Sequence, residues 1–137
     1  MRFMIFVKAN KDSEAGKLPS TELLTAMGKY NEELVKAGVM EAGEGLHPTS
    51  KGLRVKFTGK DRAVTQGPFP LEGLIAGFWI FNMKSKEEAI EWVKRAPFDD
   101  GSELEIRQIF SAEDFGANLT PELKEQEERL RTQTAKR

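Results

Sequence analysis

Two short segments of the sequence carry the residue types best suited to chemistry, and the first contains His47, the only histidine of the chain. It stands in the run Leu-His-Pro-Thr-Ser, where a predicted strand runs into a loop. Because imidazole has an unperturbed pKa near neutrality, His47 is a candidate general acid or base, or a hydrogen-bond donor to a ligand. The alternative is structural: a half-exposed loop residue, or an anchor of the bend at Pro48. Acidic residues that could partner it, among which spacing does not choose, are Glu41, Glu44, Asp61 and Glu72.

The second segment is the run Val-Thr-Gln-Gly-Pro-Phe-Pro. Gly67 lets the backbone turn while Pro68 and Pro70 restrict it, so the ring of Phe69 is held in one direction. We expect that ring to form the wall of a cleft or a contact with a second subunit, the alternative being a plain hydrophobic plug. Gln66 can donate to a ligand and accept from it but cannot act as a base, and satisfying a turn is its alternative role. The predicted ligand-binding residues are Gln66, Gly67, Pro68 and Phe69.

Other kinds of site have no motif in this sequence. There is no phosphate loop, no glycine-rich dinucleotide turn after the first strand and no nucleophile elbow. The chain has one histidine and no cysteine, so neither thiolate chemistry nor a zinc site is expected. No carboxylate cluster has the spacing of a calcium loop. We therefore expect a metal-free site without a cofactor.

Length and charge are typical of a single soluble domain. A chain of 137 residues buries roughly two-thirds of its unfolded surface on folding. With 21 basic and 22 acidic residues its formal charge is -1, which gives no indication of a nucleic-acid or membrane partner. The apolar run Phe3–Val7 is too short for a signal peptide or a membrane span. We expect a soluble, cytoplasmic protein.

The spacing of apolar residues predicts strands and helices in alternation. The predicted strands of the main sheet are 3–7, 39–46, 73–83 and 103–110. One predicted helix begins at Ser20 and ends at Gly38, with Leu24, Leu34 and Val35 on its apolar side, and another follows a capping box at Ser85. A hairpin, 53–65, is inserted between the second and third of these strands. The order β, α, β, hairpin, β, α, β predicts an α+β fold of the ferredoxin-like, split βαβ type.

Two helices can cover only one face of such a sheet. The two central strands, 3–7 and 73–83, are apolar on both faces, and at roughly 25 cal/mol per Å² a wet second face would cost several kcal/mol. We therefore expect a homodimer with sheet packed on sheet, and a domain spanning 1–116. The charged C-terminal extension, 117–137, has few large apolar residues and is expected to be helical or partly disordered.

Five segments together resemble the YCII-related family, in the branch named for a DGPF motif. They are RFMIFVKA, GEGLHPTSKGLRVKF, TQGPF, GFWIFNMKSKEEAIEWVKRAP and ELEIRQIFSAEDFG, and the resemblance runs from Met1 to about Gly116. It implies a dimeric α+β barrel. Two departures concern the chemistry: Gln66 replaces the aspartate of the motif, and the helix start 18–22 lacks the histidine of the dyad proposed for the family.

Three functions follow from these observations. The first is an uncharacterised cleft protein that binds a small molecule near the Gly-Pro-Phe loop. The second is a cofactor-free enzyme that uses His47 as acid or base, by analogy with other proteins of this fold. The third is a protein-interaction role, because the resemblance implies a link with regulatory sigma factors.

Overall fold

The structure is a computed structural model of the chain and describes residues 1–136. In chain order its elements are β1 (Arg2–Lys8), α1 (Lys11–Glu14), α2 (Thr21–Lys36), β2 (Met40–Gly45), β3 (Leu53–Thr58), β4 (Asp61–Gln66), β5 (Ile75–Asn82), α3 (Lys86–Lys94), β6 (Leu104–Gln108) and α4 (Pro121–Ala135). Two short 3-10 helices cover Thr49–Lys51 and Ala112–Asn118. Within the described part of the chain, no helix combines the length and apolar character needed to cross a bilayer.

Four of the strands form an antiparallel sheet in the order β2-β5-β1-β6. This is the strand order of the ferredoxin-like fold, with β3 and β4 inserted between β2 and β5 as a separate two-stranded sheet. The predicted α+β, ferredoxin-like architecture with an inserted hairpin is therefore confirmed. The structure contains one copy of the chain, so the dimeric barrel stays a prediction.

The hydrophobic core lies on the face of the sheet that α2 and α3 cover. Alternate residues of β1 and β5 point to this face because side chains of a strand alternate in direction. Phe3 lies opposite Phe81, and Ile5 lies opposite Trp79, in the register of the two strands. These four side chains and Leu34 of α2 are buried. Burying each contributes roughly 1.5–3 kcal/mol relative to leaving it exposed.

The opposite face of the sheet, here called the open face, is covered much less. Its central apolar residues, Met4 and Phe6 of β1 with Phe78 and Ile80 of β5, are half-buried and do not belong to the core cluster. A single copy therefore buries the apolar residues of these two strands on one face only.

Helix α2 carries its apolar stripe slightly rotated from the predicted one. Leu34 and Tyr30 are buried, but Leu24 and Val35 are 58% and 61% exposed. A helix turns by about 100° per residue, which puts these two positions at the rim of the stripe centred on Met27 and Leu34. The predicted caps are present: Ser20 Oγ accepts from the Leu23 amide at 3.1 Å, and the chain leaves the helix through Gly38 at φ +71°.

The predicted loop between β1 and α2 contains the short helix α1. Asn10 and Ser13 cap it reciprocally, since the Ser13 amide donates to Asn10 Oδ1 and the Asn10 amide donates to Ser13 Oγ, both at 2.9 Å. This helix places Glu14 beside the loop that follows β2, which matters for the site below.

Candidate functional site

Thr49 joins the loop after β2 to both α1 and the Gly-Pro-Phe loop. Its amide donates to Glu14 Oε1 at 2.9 Å, and its hydroxyl donates to Glu14 Oε2 at 2.6 Å. The same hydroxyl oxygen accepts a hydrogen bond from the Phe69 amide at 3.0 Å. Charge-assisted bonds of this kind are stronger than neutral ones. The Gly-Pro-Phe loop is therefore connected to α1 through one side chain.

Gly67 is held so close to the neighbouring loop that a side chain cannot fit. A Cβ at this position would lie 1.7 Å from the carbonyl oxygen of Thr49. The Gly67 amide donates to the carbonyl of Gly52 at 2.9 Å, and the peptide to Pro68 is cis. The glycine of the motif is thus required by a close backbone approach.

The ring of Phe69 is half-buried and faces Arg54 of β3. The guanidinium carbon lies 3.9 Å from the ring centroid, a cation–π contact. None of the five main cavities among residues 1–136 is lined by Phe69. Gln66 is exposed at the end of β4, opposite Leu53. The role of residues 66–69 as direct ligand contacts stays a prediction.

His47 is exposed in the loop that follows β2. Within the described chain, no hydrogen bond or ion pair involves its ring, and Glu41, one of its candidate partners, binds Arg2 at 3.1 Å instead. The structure therefore brings His47 and the Gly-Pro-Phe residues into neighbouring loops but supplies no carboxylate for the imidazole.

A cavity lies elsewhere, between α2 and the helix-covered face of the sheet, and is here called the cleft. Its volume is about 290 Å³. The apolar side chains that line it include Val7, Leu23, Leu24, Met27, Trp79 and Phe98. A wider groove of about 660 Å³ adjoins it and shares Val7, Leu23, Ala76 and Phe98 with it. The far wall of the groove contains Asn10 and Ser13 of the α1 capping box.

Trp79 is a buried core residue, yet it also lines the cleft. Its ring meets Tyr30 and Phe98 edge-on, with centroid distances of 5.7 and 6.2 Å. Its indole Nε1 donates to Asn31 Oδ1 at 2.9 Å. These contacts fix both the indole and the Asn31 amide at the cleft wall.

Two glycines allow the strands and the indole to approach closely beneath the cleft. A Cβ at Gly43 would lie 2.8 Å from Cδ1 of Trp79, and a Cβ at Gly77 would lie 2.9 Å from the carbonyl oxygen of Glu44. The sequence shows these glycines as breaks in strand patterns, which is the signal for a close approach. The residues that these glycines approach are distant from them in the sequence. A cavity at this position was therefore not predicted.

Charges at the groove are arranged around Lys8. Its Nζ lies 3.1 Å from Glu103 and 3.5 Å from Glu105, and the hydrogen bond and charge of Glu103 raise the pKa of Lys8. Asp99 and Asp100 stand in the same groove wall and form no ion pair within residues 1–136. The groove mouth is therefore acidic.

The single tyrosine does not supply a base to the cleft. Burial raises the pKa of Tyr30 to about 12, so its hydroxyl is protonated at neutral pH and donates to the carbonyl of Trp92 at 2.6 Å. Among residues 1–136, no group of three or more histidine or acidic side chains is placed to hold a metal ion.

The fold and the cleft define a ferredoxin-like α+β protein with a small cavity under its first long helix. The family model described as the YCII-related domain matches residues 1–113, and the chain belongs to the YCII-related family. The family resemblance is thereby confirmed, while the DGPF branch stays a prediction. A search of curated proteins finds no match to the chain.

Proposed function

We propose that this YCII-related protein binds a small, largely apolar molecule in the cleft between α2 and the sheet. The volume of the cleft is close to the lower end of the range of about 300–1,000 Å³ for small-molecule sites, and the groove beside it adds room. Apolar walls with one well-placed polar group are typical of such sites.

The observation that carries this proposal is the orientation of Asn31. An indole N–H can only donate a hydrogen bond, so the oxygen of the Asn31 amide must face Trp79. The two N–H groups of Asn31 then point away from the indole, and within residues 1–136 they have no protein acceptor. Because Asn31 lines the cleft, we expect the ligand to carry a carbonyl or carboxylate oxygen that accepts from it.

In this proposal the Gly-Pro-Phe loop does not contact the ligand but supports the wall of the groove. The loop is bonded to Thr49, Thr49 to Glu14, and Glu14 ends the helix whose cap residues line the groove. Retention of Gly67, Pro68 and Phe69 also supports placing the chain in the DGPF branch. His47 as a catalytic acid or base is not favoured by any contact, and the sigma-factor link stays a prediction.

A thermal-shift screen of metabolites tests the proposal. Hits on the wild-type protein are measured again on Leu23→Trp, which fills the cleft, and on the control Val35→Trp, which adds the same ring to the exposed side of α2. We expect hits to stabilise the wild type and the control equally and to lose their effect on Leu23→Trp. Undiminished binding by Leu23→Trp places the ligand outside the cleft.

The same screen tests the roles of the His47 loop and the Gly-Pro-Phe loop separately. His47→Ala is expected to keep both the thermal stability and the affinity, because the ring is exposed. Phe69→Ala is expected to weaken binding by loosening the groove wall. An unchanged affinity for this variant removes the Gly-Pro-Phe loop from the site.

We propose further that the protein is a homodimer in which the open faces of two sheets pack together. The half-buried Met4, Phe6, Phe78 and Ile80 support this, since a contiguous apolar patch that one copy leaves partly exposed marks an interaction surface. Sedimentation velocity over a dilution series measures the assembly. A stable monomer at all concentrations contradicts it.

A further inference from the structure

The hairpin of β3 and β4, here called the arm, has an apolar side that is exposed within residues 1–136, where only the Arg62 guanidinium stacks on the Phe57 ring, at 4.3 Å from its centroid. All its strand residues are exposed. The register pairs Val55 with Val64 and Phe57 with Arg62, so Leu53, Val55, Phe57 and Val64 share one side. Phe57 is 72% exposed. A two-stranded hairpin is marginally stable in water by itself, which favours a partner for this side.

The arm is fixed at its base, so it projects as an ordered element. The Gly67 amide is bonded to Gly52, the Phe69 amide to Thr49, and Arg54 stacks on the Phe69 ring. Preorganisation of this kind lowers the entropy lost on association.

The open face of the sheet is apolar at its centre, like the exposed side of the arm. In the register of the four strands, one row reads Glu44, Phe78, Phe6 and Glu105 from edge to edge. The next row reads Ala42, Ile80, Met4 and Arg107. Apolar side chains thus occupy the middle of the face, and carboxylates end one row on both sides.

A groove deepens this face beside β6. It has a volume of about 370 Å³, and its walls include Met4, Phe6 and Phe115 together with Glu127 of α4. Phe115 stacks on Phe110 at a centroid distance of 5.0 Å. The groove is apolar at its floor, and its rim carries Arg107 and the ion pair of Glu127 with Arg131.

One basic residue of the arm is placed to meet a carboxylate of the open face. Arg62 lies opposite Phe57 in the register and shares the apolar side, whereas Arg54 and Lys56 lie on the other side of the hairpin. Glu44 at the edge of the open face has no ion-pair partner within residues 1–136. Opposite charges around an apolar centre favour one docking partner over others.

We infer that the arm of one copy packs its apolar side along the edge of the open face of a second copy, beside the sheet-on-sheet contact of the homodimer proposed above. Each copy has one arm and one open face, so two reciprocal contacts close the assembly with twofold symmetry and leave neither surface bare. A standard interface uses about 20–30 residues from each partner. The arm contributes the residues of its two strands to this number, in addition to those of the open face.

Phe57→Lys tests the inference against a matched control, Thr58→Lys. Both variants add one positive charge to the same strand, but on opposite sides of the arm. We expect Thr58→Lys to have the dimer dissociation constant of the wild type. For Phe57→Lys we expect a dissociation constant about tenfold higher or more, the loss typical of a buried aromatic contact. Equal dissociation constants for all three proteins overturn the role of the arm and leave the dimer intact. A monomeric wild type overturns both.

Cross-linking provides a second measurement, since the chain has no cysteine of its own. Val55→Cys protein is mixed with Phe78→Cys protein under mild oxidation, and Lys56→Cys replaces Val55→Cys in the control mixture. We expect a disulfide-linked heterodimer from the first mixture well above the control. Equal yields contradict the docking, and far-ultraviolet circular dichroism checks that each variant is folded.

Discussion

The indole Nε1 of Trp79 donates a hydrogen bond to Oδ1 of Asn31 at 2.9 Å, and this bond ties β5 to α2 across the wall of the cleft. Trp79 is buried, so its N–H has no easy access to water. A buried donor that loses its partner costs about 1–3 kcal/mol. The bond therefore serves stability as well as the orientation of the Asn31 amide.

Asn31→Leu, which keeps the size of the side chain, is expected to lower the free energy of unfolding by about 1–3 kcal/mol. The cost should shrink when Trp79 is already replaced by Phe, because no indole donor is then left unsatisfied. Urea denaturation of both single variants and the double variant measures this coupling. Equal costs in the two backgrounds contradict a stabilising role for the bond.

Gly67→Ala is expected to destabilise the protein by about 3 kcal/mol or more, since the added methyl group meets the backbone carbonyl of Thr49. Gly28→Ala is the control within α2, where a Cβ meets no atom within 4 Å. Alanine is favoured over glycine inside helices, so this variant should gain up to about 1 kcal/mol. Chemical denaturation gives both values, and a neutral effect at Gly67 contradicts the close approach.

The sequence predicted the parts of the fold that depend on local patterns. Continuous apolar runs located β1 and β5, and Ser20 and Gly38 located the ends of α2 to within two residues. Leu24 and Val35 are more exposed than predicted, because an apolar residue at the rim of a helical stripe resembles one at its centre in sequence. Helix α1 was missed because it is short and polar, although Asn10 and Ser13 have the spacing of a capping pair.

The candidate site was predictable only in part. The stiffness of the Gly-Pro-Phe loop follows from its residue types, but the contact of Phe69 with Arg54 joins this loop to β3 and has no local signal. The cleft depends on Asn31 meeting Trp79 across 48 positions. Such a contact is set by the packing of α2 on the sheet, which a single sequence does not encode as a pattern.

Thr49→Val removes the hydroxyl that joins Glu14 to the Phe69 amide while keeping the shape of the side chain. We expect a loss of about 1–3 kcal/mol, since a carboxylate oxygen and an amide lose their partner. Thr49→Ser keeps the hydroxyl and should restore most of the stability. Hydrogen exchange of the Phe69 amide is the local measurement, and unchanged protection in Thr49→Val contradicts the connection.

The hydroxyl of Tyr30 makes stability depend on pH in the alkaline range. Burial raises its pKa to about 12 in the folded chain, against about 10 when it is unfolded. The folded state therefore retains the proton more strongly than the unfolded state. The contribution of Tyr30 is fully present below pH of about 10 and is lost as pH rises towards about 12.

A spectroscopic titration measures this shift directly, because Tyr30 is the only tyrosine of the chain. We expect tyrosinate absorbance to appear with a midpoint well above the ordinary tyrosine pKa of about 10. If the protein unfolds at a lower pH than this midpoint, the absorbance should appear together with unfolding. Tyr30→Phe is the matched control: it lacks the bond to the Trp92 carbonyl and should lose less stability between neutral and strongly alkaline pH than the wild type. A tyrosinate midpoint at the ordinary value in folded protein would show that the hydroxyl is hydrated, and the packing of α2 against α3 at this position would then be looser than the structure has it.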